Sequence, residues 1–156
     1  GFPDAVVIGG DTLIDLDGEK IGKPRDAPEA SDTLKRLSGR THLVVSGVAG
    51  AWPEGFRTTS VETVTVRMRP FSEEEIQNYI LTGEPMDKAG AYSIQGGGAR
   101  FIEGIEGDYL ATVGLPLRAV AGILREAGLE LPIDPEDIYR ERNFLNWRDF
   151  DPSEPL

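Results

Sequence analysis

Residues 5–15 read Ala-Val-Val-Ile-Gly-Gly-Asp-Thr-Leu-Ile-Asp, and the reading of this stretch decides the fold. The run Ala5-Val6-Val7-Ile8 is continuously apolar, as in a strand covered on both faces. It arrives at Gly9-Gly10 and then presents a carboxylate, Asp11, and a hydroxyl, Thr12. Two readings compete. In one, the glycines and Asp11 are ordinary turn chemistry. In the other, the strand is a rigid stem that fixes Asp11 as a metal ligand or general base, and the glycines let a ligand approach the backbone. Taken alone, the stretch favours the turn.

Immediately downstream, Asp17-Gly18 is a two-residue turn signal, so Leu13–Ile21 is expected to form a polar hairpin. Asp15-Leu16-Asp17-Gly18 has the outline of the nucleophile motif of haloacid-dehalogenase-like phosphatases. It lacks the strongly apolar strand before the first Asp and the Thr after the Gly, and it is too short for an EF-hand loop. The hairpin is preferred.

Further along, Asp26 and Glu29 have capping-box spacing, with Pro28 in the first turn. Ala30, Leu34 and Leu37 then share a face, so a helix is expected over about Pro28–Leu37, stopped at Gly39. Two strands, His42–Ser46 and Val61–Met68, flank a turn or loop at Gly50–Phe56. Ser72 with Glu75 opens a second helix to about Leu81, stopped at Gly83. Residues 83–100 are glycine-rich and read as a loop, followed by a strand over Ala99–Ile105. Pro116 opens a helix that ends at Gly128, and Asp134-Pro135 starts a short helix to about Arg142. Beyond it the chain is polar, with Phe144, Trp147 and Phe150 expected to fold back onto the domain. Alternating strands and helices predict an α/β sheet with helices packed on it, and ligands at its strand ends and loops.

Composition narrows the function. The 156 residues suit one domain, which buries roughly two thirds of its unfolded surface. Lys and Arg number 16 against 27 Asp and Glu, a formal charge of −11, which disfavours nucleic-acid polymers and anionic membranes. A small anionic ligand remains allowed where local cations or a metal offset the acids. There is no cysteine and a single histidine, so thiol chemistry, Cys-ligated zinc and His-rich sites are excluded. His42 is expected to be a hydrogen-bonded structural residue. No apolar run reaches membrane-spanning length, and a cytoplasmic protein is expected.

Two further places carry candidate chemistry. Lys23, in Gly22-Lys23-Pro24, is biased to an extended backbone by the proline; it is either a phosphate-binding ammonium near the Asp11 strand or a solvated surface lysine. Asp87-Lys88-Ala89-Gly90-Ala91-Tyr92-Ser93-Ile94-Gln95-Gly96 sets a lysine and an amide among glycines. A lysine holds phosphate and an amide reads a nucleobase edge; the alternative is a long turn-rich connection.

The order of these pieces is specific: Val7-Ile8-Gly9-Gly10-Asp11-Thr12, Gly22-Lys23-Pro24, Leu37-Ser38-Gly39-Arg40-Thr41-His42, Asp87-Lys88-Ala89-Gly90-Ala91-Tyr92 with Ile94-Gln95-Gly96, and Gly114-Leu115-Pro116-Leu117. Over Ala5 to Gly128 it resembles the Maf-like family of nucleoside triphosphate pyrophosphatases, relatives of the inosine triphosphatase fold. The resemblance implies an α/β fold with a mixed twisted sheet flanked by helices. It implies hydrolysis of a nucleoside triphosphate to monophosphate and pyrophosphate with a divalent cation, Mg²⁺ or Mn²⁺. Asp11 would be the catalytic, metal-binding acid, with Gly10 in place of the commoner Ala. Thr12 and Gln95 fall at substrate-selecting positions and match the dTTP/UTP branch, and Lys23 and Lys88 match lysines that face the phosphates. An alternative is a nucleotide-binding regulatory protein linked to septum formation, without efficient turnover. A homodimer is allowed. In the family a strand and a Ser-x-x-Arg phosphate loop precede this point, and residues 1–128 are expected to form the domain without them. Residues 129–156 are expected as a C-terminal helix and tail packed on it.

Overall fold

The computed structural model describes residues 5–55 and 57–150. Strand β1 (Val7–Leu16) turns back through Asp17-Gly18 into β2 (Glu19–Ile21). Both turn residues have positive φ, 56° and 85°, and the Gly18 amide donates to Asp15 Oδ1 at 2.7 Å, the backbone a two-residue hairpin requires. Asp15 is therefore a turn residue.

The first strand corrects one expectation. It does not stop at the glycines: Gly9 to Thr12 lie in mid-strand, paired with Ala49 to Ser46 of β3 (Thr41–Ala51). Small residues on both strands make this pairing. The apolar run is not covered on both faces either, because Val7 is 63% exposed on the outer side. Strand β4 (Arg57–Met68) pairs with β3 along its whole length, from Thr41 opposite Arg67 to Ala51 opposite Arg57. Gly50 and Ala51, expected in a loop, belong to β3. Alternation then sets the faces: Ile14, Leu16, Val44, Val48, Val64, Val66 and Met68 are buried, whereas Leu43 and Val61 are exposed.

Strand β5 (Ile102–Glu106) completes the order β2-β1-β3-β4-β5. It starts later than expected because Gly97–Phe101 forms a 3₁₀ turn. The α/β expectation holds, but every ladder among the described residues is antiparallel. The mixed sheet is thus corrected: successive strands return by hairpins or antiparallel connections, which need no parallel crossover.

Helix α1 (Ala27–Leu37) starts where Asp26 accepts from the Glu29 amide at 2.9 Å. Glu29 reaches back to Arg25, one residue beyond the capping-box partner. Helix α2 (Glu73–Ile80) has the full box, Ser72 with Glu75. Leu34 and Leu37 of α1, with Ile76 and Tyr79 of α2, enter the main core with the covered sheet face. Residues 83–100 are not structureless but a chain of 3₁₀ turns. The short helix α3 (Tyr109–Val113) was not anticipated; Asp108 caps it, and Gly114 closes it at φ 118°. Helix α4 (Leu117–Glu126) sets Ile123 against Gly50, where a Cβ would come within 2.1 Å of its methyl group. Helix α5 (Pro135–Glu141) leads to Trp147 and Phe150, which are buried in the main core. Among the described residues no helix is long and apolar enough to cross a membrane.

Candidate active site

Strand β2 pairs with β1 only at Ile14–Leu16, so residues 7–13 form a free sheet edge among the described residues. A cavity of ≈ 370 Å³ opens there, walled by the segment around residues 87–95 and by Thr112–Gly114 at the end of α3. Asp11, Thr12, Lys23, Lys88 and Gln95 all line it. Alternation sends Asp11 and Thr12 to opposite faces of the strand, and both line the cavity at this edge.

Each wall is held in place by identifiable contacts. The Gly90 amide donates to the Gly22 carbonyl at 3.1 Å, tying the Lys88 turn to the Lys23 segment. That turn passes through positive φ at Gly90 (73°) and Ala91 (59°), and a Cβ on Gly90 would come within 2.2 Å of Ile14 Cδ1. Glycine is required there. Tyr92 is buried, and its hydroxyl bonds His42 Nε2 at 2.8 Å. Burial lowers the His42 pKa from 6.5 to about 4, so the imidazole is neutral at physiological pH and structural, as expected. The Ser93 amide donates to the Tyr79 hydroxyl at 3.1 Å, and Gly97 and Gly98 donate to the Glu84 carboxylate at 3.0 and 3.3 Å. These bonds bracket Gln95.

Charge is balanced locally in a strongly acidic chain. Asp87 lies between the two lysines, 3.4 Å from Lys23 Nζ and 2.9 Å from Lys88 Nζ. Hydrogen bonds and charge from Lys88 and Lys23 hold its carboxyl below the usual range. All three side chains are solvent-accessible, so the pairing is easily exchanged for another anion. On the covered face, Ser46 Oγ donates its one proton to the Ala111 carbonyl at 2.7 Å. The 2.7 Å contact between Thr12 Oγ1 and Ser46 Oγ is therefore donated by Thr12. Thr12 has no proton left and offers the cavity lone pairs only.

No three His, Asp or Glu side chains converge as a metal cage among the described residues. Asp11 and Asp87 are the carboxylates that line the cavity, and Asp87 is paired with the lysines. This donor set fits Mg²⁺ or Mn²⁺ held by one carboxylate, water and phosphate oxygens, the usual arrangement for a metal that arrives with a polyphosphate.

Comparison with known proteins gives the family. A model of the Maf-like protein family matches residues 2–127. The chain belongs to the Maf-like family. Among its relatives, the dTTP/UTP pyrophosphatase of Dictyoglomus turgidum is 53% identical over 131 residues, covering 83% of this chain and 68% of that protein. That of Dictyoglomus thermophilum is 51% identical over 131 residues, with the same coverage. That of Bacillus velezensis is 48% identical over 128 residues, covering 82% of this chain and 67% of the relative.

The sequence reading missed Asp87 and Ser46 in this Maf-like cavity. Asp87 had a signal, its place beside Lys88 in the quoted segment. Ser46 had none, because only the β1–β3 register brings it opposite Thr12.

Proposed function

We propose that this Maf-like protein is a nucleoside triphosphate pyrophosphatase that hydrolyses dTTP and UTP, and modified pyrimidine nucleotides, to monophosphate and pyrophosphate in the cytoplasm. One observation carries the reading. Asp11, Thr12, Lys23, Lys88 and Gln95, scattered over 85 positions of the sequence, line a single cavity in a chain about half identical to dTTP/UTP pyrophosphatases.

In the proposed reaction, water attacks the α-phosphorus, the bond from that phosphorus to the α–β bridging oxygen breaks, and pyrophosphate leaves. The exposed carboxylate of Asp11 takes the proton of the attacking water or holds the cation; its place on a paired strand fixes its position for either role. Asp11 is the residue that would hold a divalent cation, which would supply Lewis-acid neutralisation of the triphosphate. Lys23 and Lys88 give up Asp87 for the phosphates, placing two ammonium groups where negative charge gathers.

Base choice follows from the hydrogen-bond inventory. Uracil and thymine present an N3–H donor between two carbonyls, whereas cytosine presents an acceptor at N3. Thr12, committed as donor to Ser46, accepts from N3–H and is mismatched to cytosine, while the Gln95 amide donates to one flanking carbonyl.

The test is product identity. Incubating the protein with dTTP and Mg²⁺ should yield inorganic phosphate only when an inorganic pyrophosphatase is added. Phosphate released without that helper would overturn the reading in favour of a phosphatase.

A further inference from the structure

The backbone on either side of Gln95 is held by a residue outside the stretch matched by the family. Asn146 Nδ2 donates to the Ile94 carbonyl at 2.9 Å and to the Gly96 carbonyl at 3.3 Å. The family match ends at residue 127, so Asn146 lies beyond it.

The contact is built rather than incidental. Asn146 sits in the left-handed region at φ 61°, ψ 0°, a conformation Asn adopts more readily than most residues. Next to it, Trp147 is 4% exposed and stacks on Tyr109 with ring centres 5.0 Å apart. The Tyr109 hydroxyl donates to the Leu145 carbonyl on the other side of Asn146. Both neighbours of Asn146 are thus fixed to α3, whose end also forms a wall of the cavity. Glu84 and Tyr79 hold the amides of Ser93, Gly97 and Gly98, but the two carbonyls flanking Gln95 are held by Asn146.

We propose that Asn146 is a positioning residue for Gln95, and that residues 143–150 act as a strap that sets the base-reading loop. The proposal rests on the pyrophosphatase reading for its catalytic consequence. Asn146 touches no reacting atom; it acts through the placement of Gln95.

Asn146→Asp in the full chain keeps the shape and the left-handed preference but faces two carbonyls with an acceptor. Asn146→Gly keeps the backbone and removes the amide. Both should raise KM for dTTP about five- to tenfold with kcat within about twofold, the signature of lost substrate positioning. The preference for dTTP over CTP, as a ratio of kcat/KM, should fall by a similar factor. Hydrogen exchange at Ser93–Gly98, followed by mass spectrometry, should quicken in both variants. A lowered melting temperature with KM, the dTTP/CTP ratio and loop exchange all unchanged overturns the proposal. If the unsubstituted protein releases no pyrophosphate, the pyrophosphatase reading falls on its own, and the exchange comparison still decides whether Asn146 holds the loop.

Discussion

At the scale of single residues, the site works by commitment of protons and charges. Ser46 is the clearest case. It is fully buried, and its bonds to Ala111 and Thr12 turn the Thr12 hydroxyl into an acceptor. Ser46→Ala leaves the Ala111 carbonyl without its donor and frees the Thr12 proton. The expected result is a loss of about 1–3 kcal/mol by urea titration, with a smaller dTTP over CTP preference, since a rotating Thr12 can then donate to cytosine N3. His42 is the second case. Between pH 6.5 and about 4 the unfolded imidazole takes up a proton that the buried one refuses. Stability from this group is present above about pH 6.5 and lost as the pH falls towards 4. Its size is roughly 3 kcal/mol. The stability difference between His42→Gln and the unsubstituted protein should therefore narrow from pH 7.5 to pH 4.5 in denaturant titrations.

At the scale of elements, the loop that carries Gln95 is pinned by its glycines as much as by its side chains. A Cβ on Gly98 would come within 2.6 Å of the Tyr79 hydroxyl and 2.7 Å of the Ser93 amide nitrogen. Backbone cannot step aside as a flexible side chain can. Gly98→Ala should cost about 1–3 kcal/mol and cut kcat/KM for dTTP, measured by melting and pyrophosphate release. Ser72→Ala, by contrast, removes half of the α2 capping box, whose residues do not line the cavity. It should cost about 1 kcal/mol and leave turnover intact. These elements also show what was legible in the sequence. The caps of α1 and α2 and the Asp17-Gly18 hairpin are local chemistry, and their positions hold. The course of β1 through Gly9–Thr12 was not legible, since glycines signal a turn unless a partner strand supplies the bonds, and that partner begins 34 residues further along. The five-residue helix α3 is too short to show a periodicity, although Asp108 and Gly114 mark its ends. The five expected site residues come together in one cavity; Asp87 stood beside Lys88 in the sequence, whereas Ser46 and Asn146 entered only through tertiary pairing.

At the scale of the molecule, a formal charge of −11 sets a field that repels the polyphosphate proposed as substrate. The cavity answers it with two lysines whose counter-ion, Asp87, is replaceable, and with one exposed acid, Asp11, suited to sharing a cation with the incoming phosphates. The central claim is that Asp11 belongs to the hydrolytic machinery. Its neighbouring interactions make it a clean target: the side chain is exposed, and its one hydrogen bond among the described residues accepts from the Thr12 amide, which an asparagine oxygen can also do. Asp11→Asn should therefore fold and melt like the unsubstituted protein. The decisive measurement is pyrophosphate release from dTTP in the presence of Mg²⁺ by the two proteins side by side. The account predicts a loss of at least about a hundredfold in kcat for Asp11→Asn; a rate within about threefold of the unsubstituted protein would contradict it.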